Sequence, residues 1–429
     1  MPSLIIVGAL WGDEAKGKLV DYLAQGADYN VRYSGGNNAG HTVQVGDELF
    51  KFHLLPSGIL HPKVTAVLSS GTVICPKALL AELDDVAARK PEHGRLLISG
   101  SAHVVFPYHR LLDAAEEEAR GENKIGTTSR GIGPAYQDKV ARNGIRMWDF
   151  VDPSRLCDQL TAVVEAKNRL FAAYGTEPVA FKPLFEEYAA YAERLAPFVG
   201  EAEIEVGDAL RSGKRVLMEG AQGALLDLDG GTYPFVTSSH PTSAGACLGT
   251  GLSPAKVDNV VGVCVAYTTR VGSGPFPTEL DGEIAERIRE IGGEYGVSTG
   301  RPRRVGWLDL VALRHSCRVN GFTSLAVTRG DVLSGLSEIN VCTSYQIDGE
   351  RVEYFPSDIE KLKRAKPNLE MLQGWSEDIS GVRKREDLPP QTQKLLDKIE
   401  QCCETPISII SIGKERDQTI IHRPELLWG

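Results

Sequence analysis

Short apolar runs recur along the chain, at Leu4–Val7, Thr65–Leu68, Leu96–Ser99, Val216–Met218, Val260–Ala266, Leu325–Thr328 and Ile407–Ile412. Continuous runs of this length read as strands buried on both faces. Between them apolar positions recur with helical spacing, as in Lys77–Ala88, Tyr108–Arg120, Pro153–Tyr174, Phe185–Pro197, Glu283–Ile291, Trp307–Asn320 and Pro390–Cys403. The alternation predicts an α/β fold: a largely parallel central sheet flanked by helices, with helical insertions. No linker, internal repeat or low-complexity stretch divides the sequence, so residues 1–429 read as one domain.

Four of these runs lead straight into polar, glycine-bearing loops. Val7 leads into Gly8–Asp21, Met218 into Glu219–Gly223, Thr328 into Arg329-Gly330-Asp331, and Ile412 into Gly413–Arg416. Ligands of open α/β sheets lie beyond the carboxyl ends of the strands, so these loops are expected to converge. The first loop carries Gly12-Asp13-Glu14-Ala15-Lys16-Gly17-Lys18, a G-x-x-x-x-G-K pattern in which backbone N–H groups cradle phosphate at a helix N-terminus. It is a variant of the phosphate-binding loop. Leu19 stands where a magnesium-binding hydroxyl would follow the lysine, and Asp13 places a carboxylate inside the loop. An acid there suggests a metal ligand, a proton acceptor, or both.

A net charge of −10 with no offsetting basic block argues against a general nucleic-acid binder. Positive charge is concentrated locally at Lys16/Lys18, Lys139–Arg146 and Arg301–Arg304, as anion binding by an acidic protein requires. None of the eight cysteines forms a C-x-x-C pair, so neither zinc nor a disulfide framework is indicated. The N-terminus runs into a strand without a signal-peptide pattern, and no stretch approaches the roughly 18 apolar residues of a membrane span. These features predict a cytoplasmic protein with no membrane partner.

A second polar signature, Ser34-Gly35-Gly36-Asn37-Asn38-Ala39-Gly40-His41-Thr42, combines small residues with amide, imidazole and hydroxyl groups. With both signatures in view, the chain resembles the adenylosuccinate synthetase family, GTP-dependent enzymes that join IMP and L-aspartate on the way to AMP. The resemblance extends through Ile125–Thr128, Gly131–Tyr136, Asp138–Arg142, Glu219–Gly223, Gly231–Pro234, Thr237–Ser239, Thr269–Gly272, Pro275–Leu280, Ser298–Arg304, Gly306–Asp309 and Ser411–Arg416.

The resemblance implies roles for the matched positions. Asp13 takes the N1 proton of IMP, O6 attacks the γ-phosphate of GTP, and His41 stabilises the charge on the transferring phosphoryl group; the aspartate amine then displaces phosphate from C6. Asp13 and the Gly40 carbonyl hold Mg²⁺. Gln222 contacts the base and joins Asp13 and His41 as a catalytic residue. Asn38, Thr128, Thr237 and Arg142 grip the IMP phosphate, with Arg142 reaching in from the second subunit of a homodimer. Glu14, Ala15, Lys16, Ala39, Gly40, Val271 and Arg301 complete the IMP site. Val297, Ser298, Thr299, Gly300, Arg301, Pro302 and Arg303 form the aspartate loop, where Arg301 pairs with the substrate carboxylate. GTP falls to Gly12–Lys18, Gly40, His41, Thr42, Arg303, Arg329, Gly330, Asp331, Ser411, Ile412 and Gly413.

Three positions depart from the family pattern. Ala15 replaces a phosphate-loop glycine, which costs on the order of 1–2 kcal/mol if its φ is positive. Arg329 replaces a lysine common among relatives and is expected to stack on or flank the base. Pro302 interrupts an arginine run and would stiffen the aspartate loop. Two alternatives stay open: a paralogue aminating another purine monophosphate, and a non-catalytic nucleotide-binding regulator. Retention of Asp13 speaks against the first. Retention of Asp13, His41 and Arg301 together speaks against the second.

Overall fold

The computed structural model describes residues 2–46, 48–295, 300 and 302–428. Its centre is a ten-stranded sheet built from Ser3–Gly8 (β1), Tyr29–Arg32 (β2), Thr65–Leu68 (β3), Arg95–Ser99 (β4), Val199–Gly200 (β5), Val216–Glu219 (β6), Asn259–Val265 (β7), Ser324–Thr328 (β8), Ile407–Ser411 (β9) and Thr419–Ile421 (β10). The spatial order is β10-β9-β8-β7-β1-β6-β2-β3-β4-β5, and only the β9–β10 pair is antiparallel. The expected parallel α/β architecture is therefore present, and all seven expected strands belong to this sheet.

Burial on both faces explains the unbroken apolar runs. In β1, Ile5 and Val7 pack into one large core, whereas Leu4 and Ile6 meet Leu19, Val20 and Leu23 of the helix Lys16–Ala24 on the other face. The expected helical insertion lies between β4 and β5. It carries Pro107–Ala119, Ile132–Ala141, Pro153–Tyr174 and Phe181–Leu195, packed around a separate core that includes Phe106, Phe150 and Phe171.

Several features depart from the sequence reading. β2 lies inside the sheet, between β6 and β3, although its alternating polar residues hid it. A second, mixed sheet pairs Glu338–Ile347 with Glu350–Val352 and Lys366–Gln373, and with the short strand Leu308–Asp309. The helix expected from Trp307 begins instead at Leu310, because the Asp309 side chain caps it by accepting from the Val311 and Ala312 amides. Among the described residues no helix is long and apolar enough to cross a membrane.

Because β1, β6, β8 and β9 are mutually parallel, their carboxyl ends meet on one edge. The loops that follow all line one cavity there.

Candidate active site

The cavity has a volume of about 650 Å³. It is lined by Gly12–Lys18, Asn38–Thr42, Thr128, Gln222, Thr237, Val271, Arg303, Arg329, Asp331, Ser411 and Gly413, which gathers most of the expected site residues in one place. Val297, Ser298, Thr299 and Arg301 lie outside the described residues. Gly300, Pro302, Gly330 and Ile412 adjoin the cavity in sequence without lining it. Arg142 stands apart, exposed, at the end of the helix Ile132–Ala141.

The phosphate loop is built on positive backbone angles. Gly12 (φ 94°) is followed by Asp13 (φ 62°) and Ala15 (φ 63°). Ala15 thus occupies the left-handed conformation its Cβ disfavours, by about 1–2 kcal/mol. Asp13, Ala15, Gln222 and Arg329 all line the cavity with positive φ, a concentration of strain typical of functional sites. No side chain caps the helix that starts at Lys16, so its first amides face the cavity as an anion site.

The two loop lysines are held differently. Lys16 is buried in an ion pair with Glu14, whose other carboxylate oxygen accepts from the Leu10 and Gly12 amides. Lys18 Nζ donates to Ser411 Oγ (2.9 Å), Gly413 O (3.1 Å) and Gln418 O (3.0 Å), tying the phosphate loop to the loop after β9. Burial pulls the Lys18 ammonium down to about 8, against the opposing fields of Asp331, Asp417 and Glu415.

His41 follows Gly40 at the start of the strand His41–Val45. A Cβ on Gly17 would stand 3.0 Å from His41 Cβ, so glycine there lets the imidazole close on the phosphate loop. His41 Nδ1 meets Glu219 Oε1 at the end of β6. Glu219 is fully buried and also accepts from Ser57 N (2.9 Å) and Ser57 Oγ (3.1 Å). Burial alone would raise this carboxyl, but His41, the neighbouring Arg32 and the Ser57 amide outweigh it and hold it below the usual range. An ionised carboxylate only accepts, so Nδ1 carries the shared hydrogen and Nε2 is left to face the cavity. Sequence reasoning had not assigned Glu219 a role. Its signal was a carboxylate ending a buried strand, in register with the buried Arg32 of β2.

Arg303 Nε lies 2.9 Å from Asp13 Oδ2, yet the N–H is not aimed well enough to hydrogen-bond. The same guanidinium makes an aligned bond from Nη1 to Glu294 Oε2 at 2.7 Å. Arg329 lines the cavity with its guanidinium anchored. Its Nη1 pairs with Glu294 and donates to Gly292 O at 2.8 Å.

Besides Arg303 Nε, two groups in the cavity are buried with hydrogen-bonding capacity unused among the described residues: both amide atoms of Gln222, and Asp331 Oδ1. Unpaired buried polar atoms are costly, and at the wall of a cavity they mark positions a polar ligand would satisfy. Asp13 and the Gly40 carbonyl offer hard oxygen donors, and among the described residues, chain neighbours aside, no atom lies within 4 Å of where a Gly40 Cβ would stand. That donor set and open side fit a hard divalent cation.

Comparison with known proteins agrees with this geometry. The adenylosuccinate synthetase family profile matches residues 5–420. An adenylosuccinate synthetase of Desulforamulus reducens is 51% identical over 422 residues, covering 98% of this chain and 99% of that one. The structure of fully ligated adenylosuccinate synthetase from Plasmodium falciparum superposes with a TM-score of 0.93 at 37% identity, covering 98% of this chain and 99% of that one. A cyanophage S-2L succinoaminodeoxyadenylate synthetase, bound to dGMP and dATP as an energy donor, shares the fold at 20% identity with a TM-score of 0.62, covering 99% of this chain and 98% of that one.

Proposed function

Since the chain belongs to the adenylosuccinate synthetase family and joins IMP to L-aspartate at the expense of GTP, we propose that all three substrates meet in this cavity, with Asp13 as proton acceptor. The observation that carries this reading is the coexistence, in one cavity, of the uncapped phosphate loop, the Asp13 carboxylate, and the unpaired polar atoms of Gln222 and Asp331.

Hypoxanthine O6 is a poor leaving group and must be activated before an amine can displace it. Asp13 accepts the N1 proton, the electron pair moves to O6, and O6 attacks the γ-phosphorus as GDP leaves. The His41 ring, held from behind by Glu219, turns Nε2 toward the transferring phosphoryl oxygens and stabilises their charge. Electrostatic stabilisation of this kind does much of the work in phosphoryl transfer. The aspartate amine then attacks C6 and phosphate departs. Gln222, pinned by its backbone at φ 55°, presents its amide to the purine. Arg301 and Arg303 suit a carboxylate because a planar guanidinium matches its two oxygens.

The family uses a divalent metal, and we assign it as Mg²⁺, held by Asp13 and the Gly40 carbonyl. When bound it neutralises phosphate charge. We place the enzyme in the cytoplasm, where its three water-soluble substrates are found. Phosphate release from GTP, assayed after chelation and dialysis, is expected only with IMP, L-aspartate and restored Mg²⁺ together. Release at full rate without IMP or without a divalent ion would overturn this assignment.

A homodimer completes the site in our reading. Arg142 is exposed, lines no part of its own chain's cavity and makes no ion pair among the described residues. Beside it Val140 is 80% exposed, and Leu248, on the helix Ser243–Thr250, is 72% exposed. Both helices meet at the Ser70–Gly71 turn, where Lys139 Nζ donates to Ser70 O and Ser70 Oγ donates to Gly249 O, each at 2.9 Å. Exposed apolar side chains flanking an unpaired arginine suit a self-complementary contact. Arg142→Leu is expected to raise the IMP KM at least tenfold. Mixing that variant with an Asp13→Asn chain should restore part of the activity through hybrid dimers. No recovery after verified subunit exchange would mean that Arg142 does not act across an interface.

A further inference from the structure

Glu294 has no exposed surface and no place in the chemistry described so far, yet its carboxylate is held by three side chains beside the cavity. Oε1 accepts from Tyr267 OH at 2.5 Å and pairs with Arg329 Nη1, while Oε2 takes Arg303 Nη1 at 2.7 Å. The backbone adds a bond from Arg303 N to Glu294 O at 2.9 Å. Glu294 is thus fixed from one side by Arg303 and grips Arg329 with the other.

The grip on Arg329 matters because that residue's backbone is strained. It sits at φ 58°, a left-handed conformation that costs a side-chain-bearing residue on the order of 1–2 kcal/mol. Such a conformation persists only where its surroundings over-determine it. Here four contacts do so: the Glu294 pair, Nη1 to Gly292 O at 2.8 Å, a longer bond from Nη1 to Tyr267 OH at 3.4 Å, and Arg329 N to Ser411 O at 2.9 Å. Two residues on, Asp331 points an unpaired buried oxygen into the cavity. Release of the Arg329 side chain would let its backbone relax and carry Asp331 away from that position.

We propose that Glu294 is a specificity-determining positioning residue: by anchoring Arg329 in its strained conformation, it sets the place from which Asp331 reads the purine of the phosphate donor. The inference rests on reading Asp331, whose carboxylate can accept from both N1–H and the N2 amino group of guanine, as the guanine-recognising group. It goes further by assigning the precision of that recognition to a residue on a different loop, which touches no substrate.

The test is the ratio of kcat/KM for GTP to that for ATP, together with GDP and ADP dissociation constants from calorimetry. Glu294→Gln removes the charge at nearly constant volume and is expected to lower the GTP/ATP ratio at least fivefold, with the IMP KM changed less than twofold. Arg329→Met cuts the same pair from the other side, leaves Glu294 bonded to Arg303, and should lower the ratio similarly if Glu294→Gln fails to fold. Arg329→Gly adopts positive φ without an anchor, so adding Glu294→Gln to it should change the ratio less than twofold; coupled residues show this non-additivity. A general loss of packing would instead lower both rates in parallel and leave the ratio unmoved. Ratios within twofold of wild type for both Glu294→Gln and Arg329→Met would overturn the proposal. A wild-type ratio near one would instead overturn the underlying reading of Asp331.

Discussion

Replacing Asp13 by asparagine is expected to reduce turnover by at least about 10²-fold, the lower range for a positioned proton acceptor, while GTP affinity falls far less. The substitution is unusually clean. Asp13 sits at φ 62°, a conformation that asparagine tolerates as readily as aspartate, so the loop has no reason to refold. What changes is chemistry: an amide accepts no proton from N1 and is a weak ligand for a hard cation. The ion pair with Arg303 is also lost, but that contact is poorly aligned and Arg303 keeps its stronger bond to Glu294. The elements we read as the phosphate site stay in place: the uncapped amides at the start of Lys16–Ala24 and the Lys18 ammonium locked to Ser411, Gly413 and Gln418. Steady-state rates together with GDP binding by calorimetry check both halves. An Asp13→Asn enzyme that keeps more than about a tenth of the wild-type rate would exclude Asp13 as the base.

The parts of the fold legible in the sequence were those where one physical requirement dominates. Strands buried on both faces need unbroken apolar runs, and β1, β7 and β9 show them. β2 escaped notice because Asn30 and Arg32 interrupt its run. Both are buried and held by specific partners, although Arg32 Nε has none among the described residues: Asn30 Oδ1 accepts from Gly58 N at 2.7 Å, and Arg32 Nη2 donates to Gly36 O at 2.9 Å. Such compensation depends on tertiary contacts that no local pattern reveals. The helices Ile132–Ala141 and Ser243–Thr250 were hidden for a different reason. Glycine, proline and small residues dilute their apolar stripe, and Val140 and Leu248 turn outward.

The site divides along the same line. Residues in the glycine-rich signatures were legible because backbone approach to phosphate restricts side chains there, and the cavity gathers most of them. Glu219 and Glu294 were not, since a buried carboxylate becomes informative only when its partners are known. Lys16 lines the same cavity, and its pairing with Glu14 is a contact that the loop motif does not reveal.

Selectivity for the phosphate donor is expected from our reading of Asp331 as the group that meets the purine. Guanine presents two adjacent donors, N1–H and the N2 amino group, to a carboxylate, whereas adenine presents a lone pair at N1 and no donor at C2. Asp331 lines the cavity with Oδ1 buried and unpaired, so guanine would satisfy an atom that adenine leaves unsatisfied and faces with like charge density. A site built to bond a group can reject an analogue lacking it by roughly 10⁴-fold when fully buried. Asp331 is only partly buried, which lowers the expectation. The wild-type enzyme should therefore prefer GTP over ATP by at least about 10²-fold in kcat/KM. Asp331→Asn should erode that preference from both directions, because its amide accepts from only one guanine donor and can itself donate to adenine N1. The effect should fall on KM more than on kcat, since the purine lies away from the reacting phosphorus. Comparable kcat/KM values for ATP and GTP in the wild type would show that Asp331 does not read the base. A preference left intact in Asp331→Asn would assign the reading to another group on the cavity wall.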